Sequence, residues 1–118
     1  MAEINYNGKI LPLHFGLHAI NEFTKHSRID FKQAITSTEV MANLDSFVPM
    51  ATQGLNDGAR RNGNSERYSE DDVWDMFDEK PDLLSSIMQA FFEAITVMSD
   101  RLKLPKNALP TSKPRTKK

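Results

Sequence analysis

The sequence predicts a mainly α-helical protein, a small domain of about four to five helices that opens with an N-terminal β-hairpin and ends in a disordered basic C-terminal tail. Three observations predict this. An Asn7-Gly8 pair stands between two short apolar segments near the start, the strongest short-range hairpin signal. Apolar residues then recur at helical spacing to about residue 103. Beyond it the chain is rich in Lys, Arg and Pro and offers little apolar surface to offset ordering entropy. The helical domain is therefore placed at 1–103 and the tail at 104–118.

In the hairpin, Ile4-Asn5-Tyr6 and Lys9-Ile10-Leu11 flank a two-residue turn. This sets Tyr6 opposite Lys9 and Ile4 opposite Leu11. Pro12 lacks an N–H, so the second strand ends there or lies at an edge. A lone hairpin is marginal in water. The face made by Ile4, Tyr6, Leu11 and Leu13 must therefore rest on helices.

From Gly16 the spacing of Leu17, Ile20 and Phe23 predicts a first helix to about Lys25. Asp30-Phe31-Lys32-Gln33 reads as an N-cap with a reciprocal Gln, and Thr36-Ser37-Thr38-Glu39 repeats that signature. Val40, Leu44, Phe47, Val48, Ala51 and Leu55 form one amphipathic line, which Pro49 should kink or restart. Asn62-Gly63-Asn64-Ser65 is a loop. Ser69-Glu70-Asp71-Asp72 caps the next helix with acids that suit the helix dipole. Val73, Met76 and Phe77 face inward there, with Trp74 off that line. Lys80-Pro81 closes this helix and opens the last one.

The last helix, over about 82–103, is apolar around more than half its circumference. At about 100° per residue, Leu83, Leu84, Ile87, Met88, Phe91, Phe92, Ala94, Ile95, Met98 and Leu102 span about 180°. Ala90 and Val97 widen the arc by about 40°. A surface helix needs a stripe of only about 100°. This helix is either the central member of the bundle or a docking surface. Met41, Met50, Met76, Met88 and Met98 fit the same two readings, core gap-filling or an adaptable apolar surface.

Composition narrows the chemistry. Cysteine is absent, which excludes thiol catalysis, disulfides and thiolate metal sites. Met1-Ala2-Glu3-Ile4 lacks a secretion-signal pattern, and Glu93 and Asp100 interrupt the best candidate for a membrane span. The expectation is a soluble intracellular protein without a membrane partner. The net charge of −1 hides an asymmetry: residues 1–100 hold all 16 acids and a net of −8, while 101–118 hold seven bases and no acid. Such an end marks an interaction tail or a solubilising one. No aromatic side chain interleaves with its bases, which argues against single-strand nucleic-acid stacking.

His14, His18, Glu22 and His26 are spaced by four, a ligand spacing if one helix carried them all. Gly16 intervenes and the inward line runs elsewhere, so a solvated helix face is the simpler reading. Asp71, Asp72, Asp75, Asp78, Glu79 and Asp82 lack the glycine and terminal Glu of a calcium loop and read as a charged face or a patch for a basic partner. Gly54 and Gly58 are spaced as GxxxG, which in a soluble helix reads as a frayed end before a dimer motif. There is no GxSxG, glycine-rich phosphate loop or GxGxxG. No catalytic, cofactor or metal residue is assigned, and no cofactor is expected.

The segment Ile4-Asn5-Tyr6-Asn7-Gly8-Lys9, followed by Leu13-His14-Phe15-Gly16-Leu17 and Ala19-Ile20-Asn21-Glu22-Phe23, resembles the opening of the tail assembly chaperones of long-tailed (siphovirus-type) bacteriophages. Those begin with an I-x-x-N-G-K hairpin, an L-x-F-G start and a helix with a Glu-Phe or Glu-Leu pair. The run from Asp71 through Lys80-Pro81-Asp82-Leu83-Leu84 is similar to their acidic helix and D-E-x-P-E-L-L link, and Ile87-Met88-Gln89-Ala90-Phe91-Phe92 to their last helix. The likeness spans about residues 2–103. It implies a non-enzymatic protein of the host cytoplasm, absent from the mature virion, that binds the tape-measure protein and recruits tail-tube subunits. The family often has a second, frameshifted form. The basic tail departs from the acidic finish of the family.

On this reading the partner-binding edge of the last helix is Met88, Phe92, Ile95 and Ser99, docking a client helix groove-fashion. Self-association is a second way to cover a wide apolar helix. The alternative function is a small regulatory adaptor that binds protein or nucleic acid through the basic tail.

Overall fold

The computed structural model of the chain describes residues 2–102. The tail expected over 104–118 lies outside the described residues. Asn7 and Gly8 both take positive φ, 53° and 79°. Strands β1 (Ala2–Tyr6) and β2 (Lys9–Leu13) therefore reverse through the two-residue turn that Asn-Gly favours. The register pairs Tyr6 with Lys9, Ile4 with Leu11 and Glu3 with Pro12. Counting outward from the turn, an antiparallel ladder makes position 12 a non-hydrogen-bonded site. Proline's missing donor thus costs the ladder nothing, and β2 continues through it. Ile4, Leu11 and Leu13 are buried.

Among the described residues six helices follow: α1 (Leu17–Lys25), α2 (Phe31–Thr36), α3 (Thr38–Met41), α4 (Leu44–Arg61), α5 (Glu70–Glu79) and α6 (Asp82–Leu102). That is one more than the four to five expected. The extra boundary falls where the sequence suggested one continuous line from Val40 to Leu55. The Asn43 side chain accepts from the backbone N–H of Asp45 and starts α4 afresh. In consequence Met41 rather than Val40 is buried, and Leu44 lies exposed. Pro49 does not restart the helix. Its absent bond would have gone to Asp45, in the first turn, and α4 runs on to Arg61.

The other caps follow the sequence. Asp30 and Gln33 form a reciprocal capping box at α2, and Ser69 with Asp72 forms one at α5. At α3 the cap is Ser37, whose hydroxyl accepts from Val40 N–H, one residue later than the Thr36 signature implied. Pro81 stands at the mouth of α6, and its carbonyl accepts from Leu84.

The central helix is α4. It packs against β2, α1, α3, α5 and α6, and ten of its eighteen residues are buried. Gly54 and Gly58 are neither a frayed end nor a dimer motif. A Cβ on Gly54 would stand 2.3 Å from the Phe15 ring, and one on Gly58 would stand 2.3 Å from the Pro12 carbonyl oxygen. The two glycines form the notch that lets β2 and Phe15 lie directly on α4. The backbone N–H of His14 donates to the Gly54 carbonyl at 3.0 Å across this contact. A single buried cluster draws residues from all eight elements.

Candidate docking surface

The last helix is peripheral. Leu83, Ile87, Phe91 and Ile95, spaced by four, are its buried residues, and α6 packs on β1, α2, α4 and α5. Phe91 is the hub of this line. Its ring meets Phe15 edge-on at 5.2 Å and Phe47 at 5.9 Å, tying α6 to the β2–α1 junction and to α4. Around that narrow line the rest of the apolar arc is left part-covered: Leu84, Met88, Ala90, Phe92, Ala94 and Met98 are half-buried. The methionines divide the same way. Met41, Met50 and Met76 are core, while Met88 and Met98 flank α6 at the surface.

Of the predicted edge, Phe92, Ile95 and Ser99 line one groove, closed on its far side by Ile35, Thr36 and Thr38 of α2 and α3. Met88 lies outside that groove, in a shallower depression on the outer face that Phe92 shares with Ser85, Gln89, Glu93, Thr96 and Val97. Ile95 is a correction. At 6% exposure it forms the floor of the groove rather than its rim, because it ends the i+4 line on which α6 packs. Phe92 is half-buried, its ring tilted on Phe91 at 5.4 Å.

The opposite flank of α6 is more open, and no sequence motif marks it. A second groove runs between α6 and the start of α1, lined by Phe15, Leu17, Ala90, Ala94, Val97, Met98 and Leu102. Leu17, Val97 and Leu102 are 56%, 51% and 45% exposed. Helical spacing alone points Leu17 inward. It is the first residue of α1, however, and the inward line is Ala19, Ile20 and Phe23. Val97 sits on the helix wheel about 140° from Phe92, and the outer depression that both of them border lies between the two grooves.

Beside this second groove lies a charged cluster without an obvious sequence signal. The Asp57 side chain, on α4, is only 2% exposed. His14 and His18 approach its two oxygens through Nδ1, at 2.9 and 3.0 Å. Arg60 donates Nε–H and an Nη2–H to one oxygen, at 3.0 and 2.7 Å. Burial pushes the Asp57 carboxyl up, but the hydrogen bonds from Arg60, His14 and His18 together outweigh it and hold the group below its ordinary value. A carboxylate only accepts, so both rings present N–H at Nδ1. The four-residue spacing thus resolves differently from either sequence reading. His14 follows β2, His18 belongs to α1, and the two share a buried anion. Glu22 pairs with Lys25 instead, and His26 caps α1. Among the described residues no three His, Asp or Glu side chains stand where they could hold a metal ion.

On the hairpin side, Tyr6 donates to Glu79 and Lys9 pairs with Glu66. The Asn56 side chain bonds both the N–H and the carbonyl of Tyr68, at 2.7 and 2.9 Å, and ties the 62–69 connection to α4. No helix among the described residues is long and apolar enough to cross a membrane. No family model, curated protein or solved structure matches the chain.

Proposed function

We propose that this protein is a non-enzymatic tail assembly chaperone of a long-tailed bacteriophage, acting in the host cytoplasm. It holds the helical tape-measure protein and helps recruit tail-tube subunits. The observation that carries the reading is the groove along α6 in which Phe92 and Ser99 stand half-buried above Ile95, with Ile35 opposite. A helix this apolar that buries only a single i+4 line leaves a surface of the kind an amphipathic client helix covers. The order of hairpin, acidic helix and final apolar helix is the order on which the resemblance rests, and it supports the same conclusion.

The test is co-expression with a tape-measure protein, the long helical client that this reading requires. The wild-type chain keeps that client in the soluble fraction, and Phe92→Asp abolishes co-solubility while its own circular dichroism is unchanged. A client that stays soluble with the variant, or without this protein at all, overturns the proposal. Salt-sensitive DNA or RNA binding that is lost on deleting 104–118 would favour the adaptor reading instead.

A further inference from the structure

The second groove carries an inference independent of the chaperone reading. Three of the large exposed apolar residues among those described, Leu17, Val97 and Leu102, gather there. The α6 wall between them is small, Ala90 and Ala94, so another helix can approach closely. Glu93, Val97 and Arg101 follow one another along this wall at i, i+4 and i+8. The acid and the base are both exposed, and neither enters an ion pair among the described residues.

We propose that this face binds a second copy of the chain, with the two α6 helices antiparallel about a two-fold axis at Val97. A two-fold interface must be self-complementary. A surface with one acid and one base at equal distances on either side of an exposed apolar residue meets that condition. Inverting the helix about Val97 brings Glu93 of each copy to Arg101 of the other, twice per dimer. A parallel arrangement in register would instead set Glu93 against Glu93 and Arg101 against Arg101. Leu17, on the far wall, closes over the incoming helix. The groove of Phe92, Ile95 and Ser99 against Ile35 contains neither Glu93 nor Val97, so a dimer keeps that groove open in both copies.

Analytical ultracentrifugation of the full chain tests the proposal. The wild type shows a concentration-dependent monomer–dimer equilibrium that weakens with added salt. Glu93→Arg and Arg101→Glu each raise the dissociation constant on the order of tenfold or more, because each creates two like-charge contacts. An equimolar mixture of the two variants restores association. In the mixed dimer one copy carries bases at both positions and the other carries acids at both, so opposite charges meet at each end. Both positions are exposed, and unchanged circular dichroism checks that each variant folds. The proposal is overturned by a wild type that stays monomeric into the submillimolar range. Single reversals that associate like wild type, or a mixture that fails to recover, overturn it as well.

Discussion

Asp57 and Gly58 are adjacent residues that do opposite things. Asp57 brings a charge into the protein, and Gly58 keeps everything but hydrogen out of the space beside it. Replacing Asp57 with Asn should destabilise the fold by about 1–3 kcal/mol at neutral pH, toward the low end because Arg60 and His18 face water. The pH dependence has a definite sign. A carboxyl held below its unfolded value stabilises the protein above that unfolded value, and the contribution fades as pH falls through the folded one. Denaturant melts of wild type and Asp57→Asn should therefore converge in acid. Gly58→Ala is a sharper test. Helix propensity alone favours alanine by up to about 1 kcal/mol. The Pro12 carbonyl is backbone and cannot swing aside, so net destabilisation of about 1–3 kcal/mol is expected by urea unfolding. Neither role is legible in the sequence. An Asp on an amphipathic helix looks like its polar face, and GxxxG spacing does not say which surface it fits. The partners, Pro12 and His14, lie more than forty residues away in the chain.

At the scale of elements, the legible part is whatever local chemistry decides. Asn7-Gly8 fixed the hairpin, and Asp30, Ser69 and Pro81 marked helix starts through groups within four residues of themselves. The ranking of the helices is not legible. The most apolar one, α6, has the pattern of a central helix, yet it lies at the edge. The true centre is α4, whose buried face includes Gly54, Thr52, Asp57 and Gly58 and so reads as half polar. Its Thr52 hydroxyl is satisfied by the Val48 carbonyl at 2.8 Å, four residues back, and needs no outside partner. Native-state hydrogen exchange should show this ranking directly. Amides of α4 from Val48 to Gly58 exchange only through global unfolding, whereas those of α6 beyond Thr96 exchange far faster. Equal protection in the two segments would contradict the placement of α4. Phe91→Ala should cost about 3–5 kcal/mol by denaturant unfolding, since one ring joins α6 to both Phe15 and Phe47.

For the molecule as a whole, the hairpin and the helices form one cooperative unit. The Pro12–Gly58 contact, the His14–Asp57 bond and the Tyr6–Glu79 bond link the first fourteen residues to α4 and α5. The helical wheel anticipates an excess of apolar surface on α6. It does not say which part of the arc stays open, because a wheel shows a full circumference and not which neighbours reach it. Ile35 and Thr38 shelter the Phe92 side, while Gly16, with no side chain, leaves Val97 open. A single equilibrium transition is expected, with fluorescence of Trp74 on α5 and far-ultraviolet dichroism coinciding.

The glycine notch on α4 also dictates an order of events during synthesis. The hairpin leaves the ribosome before α4 does, and its landing site is not made until Gly58 has followed it. For that interval a two-stranded ribbon carrying Ile4, Leu11 and Leu13 has no surface of its own chain to cover it. A nascent chain halted before residue 58 is therefore the form most exposed to proteases and to aggregation, and release beyond the notch ends that exposure.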